Sequence, residues 1–424
     1  MTLSVLAVDG SFHSVKFFSD KFIKEISEGG NELAGNDTIV EKAKISKLVA
    51  EDPSSPKGMY VLLPRGAILA SLLEEHTRRF HAEEGAFPVR SPALARYSMP
   101  AVRSHAELSG EGVYHCELGG EDSILRHGTI FTQLALCAGE KINEENLPLK
   151  MYEMSPCFRH EEEVRVAPLR RPRSFTMIDM HTVCRDLKQS KAEFSRLHQK
   201  VHEHGNSFGW NLRSTYTVDK GFWGTDGAWI RSLALQENGP VLLKEADPKK
   251  QRPINVEYHV MGPAGPVEVA ATQIDCCNPE RFGLRTQKGK IPVVLHTSVV
   301  GSLERFMYAL VAGVQSKPEE GFCAWLAPEQ VRILLDRKAS QKEIQSMTKA
   351  FEIAGKRITV DDRDLPLEEK EKRARDAFVP FVLTEKDVRH AAVLEKLCSE
   401  TKNKPCHPSS FSVQLSRWPE GFCV

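Results

Sequence analysis

The 424-residue sequence has no surplus of either charge, since Lys and Arg together number 57 and Asp and Glu also number 57. Bulk charge therefore exerts no pull toward nucleic acid, and any RNA contact has to come from local basic patches. There is no CxxC pair. The ten cysteines are scattered, the nearest two being the adjacent Cys276 and Cys277, which fits neither a zinc ribbon nor the disulfide framework of a small secreted domain. No apolar run approaches the roughly 20 residues that span a bilayer. The start, MTLSVLAVDGSFHSVKF, lacks a basic residue ahead of a sustained apolar core, so no signal peptide is read there. What is present is length for about two or three domains and an ordinary globular balance of 41% apolar and 27% charged residues. These features describe a reduced, cytoplasmic protein with no membrane segment.

The first 45 or so residues are punctuated by Gly, Asp and Ser around one strand-like stretch, LSVLAV. Ile68, Leu69, Leu72, Leu73 and Phe80 share a helical face that Gly85 terminates, and a strand-like FPVRSP follows. Residues 147–185 alternate as two strands joined by a charged loop. Residues 187–204 return to a helical period, with Phe194, Leu197 and Val201 facing inward. Further strands are read over 253–275 and 291–300, then a helix from Leu303. After AWLAP, the segments VRILL, RITVDD and PFVLT read as strands. They are separated by a helix that Ser340 caps and Gly355 closes, and by a charged helix over 367–378. Alternating β and α elements predict a separate small α/β domain.

The most informative stretch is RSFTMIDMHTVC. Period two puts Arg173, Phe175, Met177, Asp179 and His181 on one strand face, and Ser174, Thr176, Ile178 and Met180 on the other. A face carrying Arg, Asp and His is not plain core, because a buried unpaired charge is costly. The alternative is the solvated outer face of an antiparallel sheet. Upstream, CFRHE places Arg159 and Glu161 on a shared face. The loop between the strands carries Arg165, Arg170 and Arg171, whose guanidiniums suit phosphate oxygens unless the loop is simply a solvated turn. In GSLERF, the glycine permits close backbone approach and Arg305 is placed to lie flat on a purine ring. His198 and His202, four apart on a predicted helix, have a spacing that can bind zinc. With no Glu or Cys partner in a motif, they read instead as an exposed helix face.

LPLKMYEMSPCFRHE, the Arg-rich loop, PRSFTMIDMH and VVLHTSVVGSLERF together resemble motifs 2 and 3 of the class II aminoacyl-tRNA synthetases. FPVRSPAL is similar to their motif 1. AWLAPEQVRILL resembles the entry to the anticodon-binding domain of the threonyl type, and TMIDMH is closest to its archaeal branch. The resemblance covers about residues 46–390. It implies an α+β fold: an N-terminal segment (1–45), a class II antiparallel sheet with flanking helices (46–326), and a C-terminal α/β anticodon-binding domain (327–424). It also implies an ATP-dependent ligase charging tRNA, most directly with threonine through a threonyl-adenylate. A homodimer is implied too, and a separate editing protein, because no room for an editing domain is read.

Residue by residue, the resemblance implies that Arg159 meets the α-phosphate and Arg305 the γ-phosphate end and adenine face. Glu161 would read the adenine amino group, Phe175 would stack on the ring, Arg173 would also reach ATP, and Glu268 would help hold Mg²⁺ and ATP. Asp179 and Gln273 fall at amino-acid-binding positions. His181 and His296 match two of the family's three zinc ligands, but the cysteine position is Ile130, and Ala271 stands where the family has threonine. Zinc in an open site takes three protein ligands, so this set is incomplete unless Asp179 supplies the third. Two other readings stay open: a paralogue activating another amino acid, and a non-catalytic protein that binds tRNA or partners a synthetase. In the C-terminal domain, Arg363 and the basic helix 370–375 are the expected RNA contacts.

Overall fold

The alternation over residues 147–185 becomes an antiparallel hairpin of two long strands, Leu149–Phe158 and Ser174–Cys184, with Phe175 opposite Cys157, Asp179 opposite Glu153 and His181 opposite Met151. In this computed structural model the described residues are 3–27, 37–108, 110–246, 252–263, 265–316, 322–353, 355–388 and 411–414. The hairpin lies near one edge of a ten-stranded sheet. In order across it come Phe12–Ser14, Leu3–Leu6, Val241–Ala246, Arg213–Asp219, Ile254–Gly262, Gly265–Asp275, Val293–Ser298, Ser174–Cys184, Leu149–Phe158 and Phe87–Pro88. Pairing is antiparallel except between 213–219 and 241–246 and between 87–88 and 149–158. A mostly antiparallel sheet with flanking helices is the expected α+β arrangement.

The two sheet faces differ. Helix Leu187–Asn206 covers one of them, and its expected inward stripe of Phe194, Leu197 and Val201 is fully buried. Leu197 packs on Met180 and Tyr152, so the even-numbered residues of strand 174–184 face this helix. Each fully buried side chain of this size contributes about 1.5–3 kcal/mol. Phe175, Met177 and Asp179 therefore face the other side.

The chain divides into two compact units, one of residues 1–34 and 77–309 and the other of 35–76 and 310–424. This differs from the boundaries expected at 45 and 326, for identifiable reasons. LSVLAV is not part of a separate segment: Leu3–Leu6 pairs with Val241–Ala246, and Val5 packs with Phe22, Ile23 and Leu242. Residues 35–76 join the second unit through the Lys42–Asp376 ion pair at 2.8 Å and the buried Arg65–Glu329 pair. Residues 28–36, 389–410 and 415–424 of the expected domains lie outside the described residues.

In the second unit, the strands Phe381–Thr384, Val331–Leu334, Arg357–Asp361 and Phe411–Gln414 form a parallel sheet in that order. Ser340 and Glu343 cap helix Gln341–Ile353 reciprocally: the Ser340 amide donates to Glu343 Oε2 at 2.8 Å and the Glu343 amide to Ser340 Oγ at 3.4 Å. The helix expected to contact RNA turns Lys372 and Arg375 outward but not Lys370. Lys370 is fully buried and donates to the Leu335 carbonyl, because it lies on the inward stripe of Leu367–Asp376 beside Ala374. Arg373 pairs with Glu369, Lys372 with Asp376 and Arg375 with Glu371, all one helical turn apart. Arg363 pairs with Asp361 at 2.6 Å. Among the described residues, no helix is long and apolar enough to cross a membrane.

Candidate active site

A cleft of about 240 Å³ opens on the sheet face carrying Phe175, Met177 and Asp179, with Arg159, Glu161, Glu268, His296 and Arg305 among its walls. Arg159 follows the last residue of strand 149–158, and its guanidinium lies 5.0 Å from the centre of the Phe175 ring. Burial, with the nearby Arg305 charge, pushes the Arg159 guanidinium below its ordinary value. A desolvated cation facing a second cation favours an anion between them. Arg305 is held by Glu268, Nη1 to Oε2 at 2.9 Å, and Glu161 accepts from Arg171 Nε at 2.7 Å.

Gly301 sets where Arg305 stands. Its φ is +62°, and a Cβ there would meet the Val269 carbonyl oxygen at 3.1 Å. The tight turn lets the Ile178 amide donate to the Gly301 carbonyl at 3.3 Å, while the Thr176 amide donates to the Glu304 carboxylate at 2.9 Å. Helix Leu303–Ser316 thus starts clamped against the central strand. Arg173, expected to reach the nucleotide, is outside the cleft walls. It donates to the Glu161 carbonyl from Nε and Nη2, at 3.1 and 2.8 Å, and so braces the loop that carries Glu161.

The other half of the site is organised by register. His181 lies beside His296, His296 beside Gln273 and Gln273 beside Asn255 across four adjacent strands. His181 is fully buried, and its two nitrogens are both engaged, Nδ1 with Gln133 Oε1 at 3.0 Å and Nε2 with His296 Nδ1 at 3.1 Å. Burial, together with His296 and His105, holds His181 well below the usual imidazole range. Asp179 accepts from the Thr129 hydroxyl at 2.8 Å and lies 3.6 Å from His296 Nε2. Ile130 is buried at the start of helix Ile130–Ala138 and offers no donor atom. Among the described residues, His181 and His296 belong to no group of three metal-ligating side chains. The donors present therefore do not fit a three-ligand zinc.

Three site residues escaped the sequence reading. Thr129 precedes helix 130–138 without capping it, its hydroxyl being spent on Asp179. Gln133 is a fully buried polar residue in the apolar run IFTQLALCA, one turn beyond Ile130, and that isolation was the available signal. Glu257 is raised by burial and then by the neighbouring Glu268 charge, and the alternation of INVEY put it on the same face as Ala271 across the register. The expected exposure of His198 and His202 is a correction: both are buried, and Glu237, far away in sequence, faces them.

Residues 114–313 match the tRNA synthetase class II core domain (G, H, P, S and T). The chain is similar to archaeal threonine--tRNA ligases. It is 29% identical to that of Pyrobaculum aerophilum, over 88% of this chain and 66% of the relative, and 31% identical to that of Pyrobaculum calidifontis, over 78% and 56%. The chain thus spans less than two thirds of these curated relatives. Its fold resembles the RNA binding domain of threonyl-tRNA synthetase from Cryptosporidium parvum Iowa II, with a TM-score of 0.70, 16% identity, and coverage of 83% of this chain and 90% of that one. It also resembles a threonyl-tRNA synthetase from Aeropyrum pernix, with a TM-score of 0.68, 16% identity, and coverage of 89% and 99%.

Proposed function

We propose that the chain is an ATP-dependent ligase that activates an amino acid, with threonine the first candidate, and charges tRNA with it. The observation that carries this reading is the convergence of Arg159, Arg305, Glu161, Phe175 and Glu268 on one cleft. In the first step an oxygen of the substrate carboxylate bonds to the α-phosphorus of ATP, the bond from that phosphorus to the β-bridging oxygen breaks, and pyrophosphate leaves. Negative charge grows on the α-phosphoryl oxygens, and fixed, desolvated guanidiniums stabilise it without reorganising. Arg159 takes that role, Arg305 holds the far end of the triphosphate, and Phe175 and Glu161 hold the base. Glu268, with Glu257 beside it, would hold Mg²⁺, which neutralises phosphate charge when bound; mutual repulsion of the two carboxylates suits a divalent cation. In the second step a ribose hydroxyl at the tRNA 3′ end attacks the acyl carbonyl and AMP leaves.

The closed His181–His296–Gln133 arrangement favours a second reading for the amino-acid half alone: recognition without zinc, of threonine or of another small amino acid. An apolar pocket rejects a near-isosteric hydroxyl by only about a hundredfold, so selection of threonine over valine has to come from polar contacts such as those of Asp179 and His296. The partners on this reading are tRNA, the amino acid and a second copy of the chain, the last through the edge strand where Phe87 is 63% exposed. ATP–pyrophosphate exchange measured with each amino acid tests the proposal. Exchange strongest with threonine is expected, and absence of exchange with any amino acid would overturn it. Ile130→Cys, which restores a thiolate donor, is expected to raise bound zinc by one equivalent over the parent and to sharpen threonine over valine.

A further inference from the structure

On the helix-covered side of the sheet, away from the cleft, the first unit buries a second constellation of titratable groups. His198 and His202 lie one turn apart on helix Leu187–Asn206, and Glu237 follows helix Lys220–Ala234. All three are buried, and among the described residues they are the one group of three metal-ligating side chains whose donor atoms lie within 4.8 Å of one another. We propose that His198, His202 and Glu237 form a structural site for a divalent transition ion of the zinc class.

The geometry carries the proposal. His198 Nε2 stands 3.4 Å from Glu237 Oε1, and His202 Nε2 stands 3.2 Å from Glu237 Oε2. Ligand atoms of a tetrahedral site at bond lengths of about 2.0–2.1 Å lie roughly 3.3 Å apart; each imidazole stands at that range from one oxygen of the carboxylate, and a small shift of Glu237 brings one oxygen to an ion shared by all three. The outer contacts are those that orient metal ligands. The Tyr258 hydroxyl meets His198 Nδ1 at 2.7 Å, leaving Nε2 turned to the carboxylate. The Ser214 and Tyr216 hydroxyls donate to the two Glu237 oxygens, each at 2.8 Å. His202 Nδ1 is buried without a hydrogen-bond partner, and Nε2 meets only the Glu237 carboxylate. An incompletely partnered imidazole beside a buried carboxylate costs stability unless a cation lies between them. Tyr216 OH lies 3.5 Å from His198 Nε2 on the remaining side; the three protein ligands leave a fourth position for a water molecule, and the site ties two helices to strands 213–219 and 254–262.

The test uses the purified full chain. Elemental analysis is expected to find about one zinc per chain in the parent, retained in the His181→Gln/His296→Gln double variant and lost in His202→Ala. Protein stripped by a chelator is expected to unfold at a lower temperature and to recover with Zn²⁺, and Co²⁺ added to it is expected to give the visible bands of a tetrahedral site. The chelator arm needs no variant, so a His202→Ala chain that fails to fold leaves the proposal testable. A parent chain that holds no metal, gives no Co²⁺ bands and melts at an unchanged temperature after chelation overturns it. So does zinc that persists in a folded His202→Ala chain and disappears from the double variant.

Discussion

The two halves of the cleft are built on opposite plans. In the nucleotide half, Arg159 is desolvated against Phe175, and the other charges pair along the cleft wall, Arg305 with Glu268 and the Arg170 carbonyl and Arg171 with Glu161. In the amino-acid half, polar groups have closed on one another: Gln133 on His181, His181 on His296, Thr129 on Asp179. One half presents guanidiniums to an anion, and the other pairs most of its polar groups internally, although Gln133 Nε2 and Asp179 Oδ1 are buried without hydrogen-bond partners. On the proposed reading, the nucleotide half carries the function more strongly, and substrate choice falls to the amino-acid half.

The largest expected effect breaks the nucleotide half alone. Arg305→Ala removes a preorganised cation, and kcat/KM for ATP–pyrophosphate exchange is expected to fall by about 10²–10³, the scale for losing one such group. His296→Ala is expected to raise the KM for the amino acid and leave ATP affinity unchanged. Calorimetric titration of both variants with ATP checks the separation. Equal losses of ATP affinity would mean that the halves are not independent.

Much of this division was legible in the sequence, because a strand's period of two is strict. RSFTMIDMH placed Phe175, Asp179 and His181 on one face before any coordinates, and the Gly301 turn placed Arg305. What escaped it were contacts made across the chain. Gln133 reaches His181 over 48 positions, and Glu237 reaches His202 from the end of another helix, where local periodicity carries no information. Period two puts Arg173 on the face of Phe175, but the strand begins at Ser174 and the Arg173 side chain turns to the Glu161 carbonyl. Lys370 was read as exposed from composition, although its helix is short and its inward stripe admits a lysine whose ammonium finds a carbonyl.

A smaller effect separates the halves by pH. The imidazoles behind the amino-acid half are neutral by burial: His105 is pushed down to about 3 and His127 to about 4, their rings 3.3 Å apart at the nearest nitrogens. Both folded values lie below the ordinary imidazole value of about 6.5, so the unfolded chain takes up these protons first as pH falls. Stability is full above about pH 6.5 and is lost below it by up to about 1.4 kcal/mol per pH unit for each group, down to about pH 4. Urea unfolding across this range is expected to show a shallower slope in His105→Gln/His127→Gln than in the parent. The slope does not vanish, because His81 and His259, also at about 4, remain.

The smallest expected effect grades the nucleotide half internally. Arg171 lines the same cleft as Arg305 and pairs with Glu161 at 2.7 Å, but its side chain is 38% exposed. A pair this open to water is screened and contributes about 0.2–1 kcal/mol. Arg171→Ala should therefore change stability by less than about 1 kcal/mol and weaken ATP by no more than roughly fivefold. The loss should shrink at about 0.5 M salt, where exposed charges are screened within a few ångströms. The two consequences of the change oppose each other, because it removes a cation from the cleft and also frees Glu161 from an internal partner. The net loss stays well below that of Arg305→Ala. The Arg305 side chain is itself 30% exposed, so its place in the cleft and not its burial ranks it above Arg171. If Arg171→Ala weakened ATP as much as Arg305→Ala at both salt concentrations, the two arginines would not divide into one that holds the triphosphate and one that props Glu161.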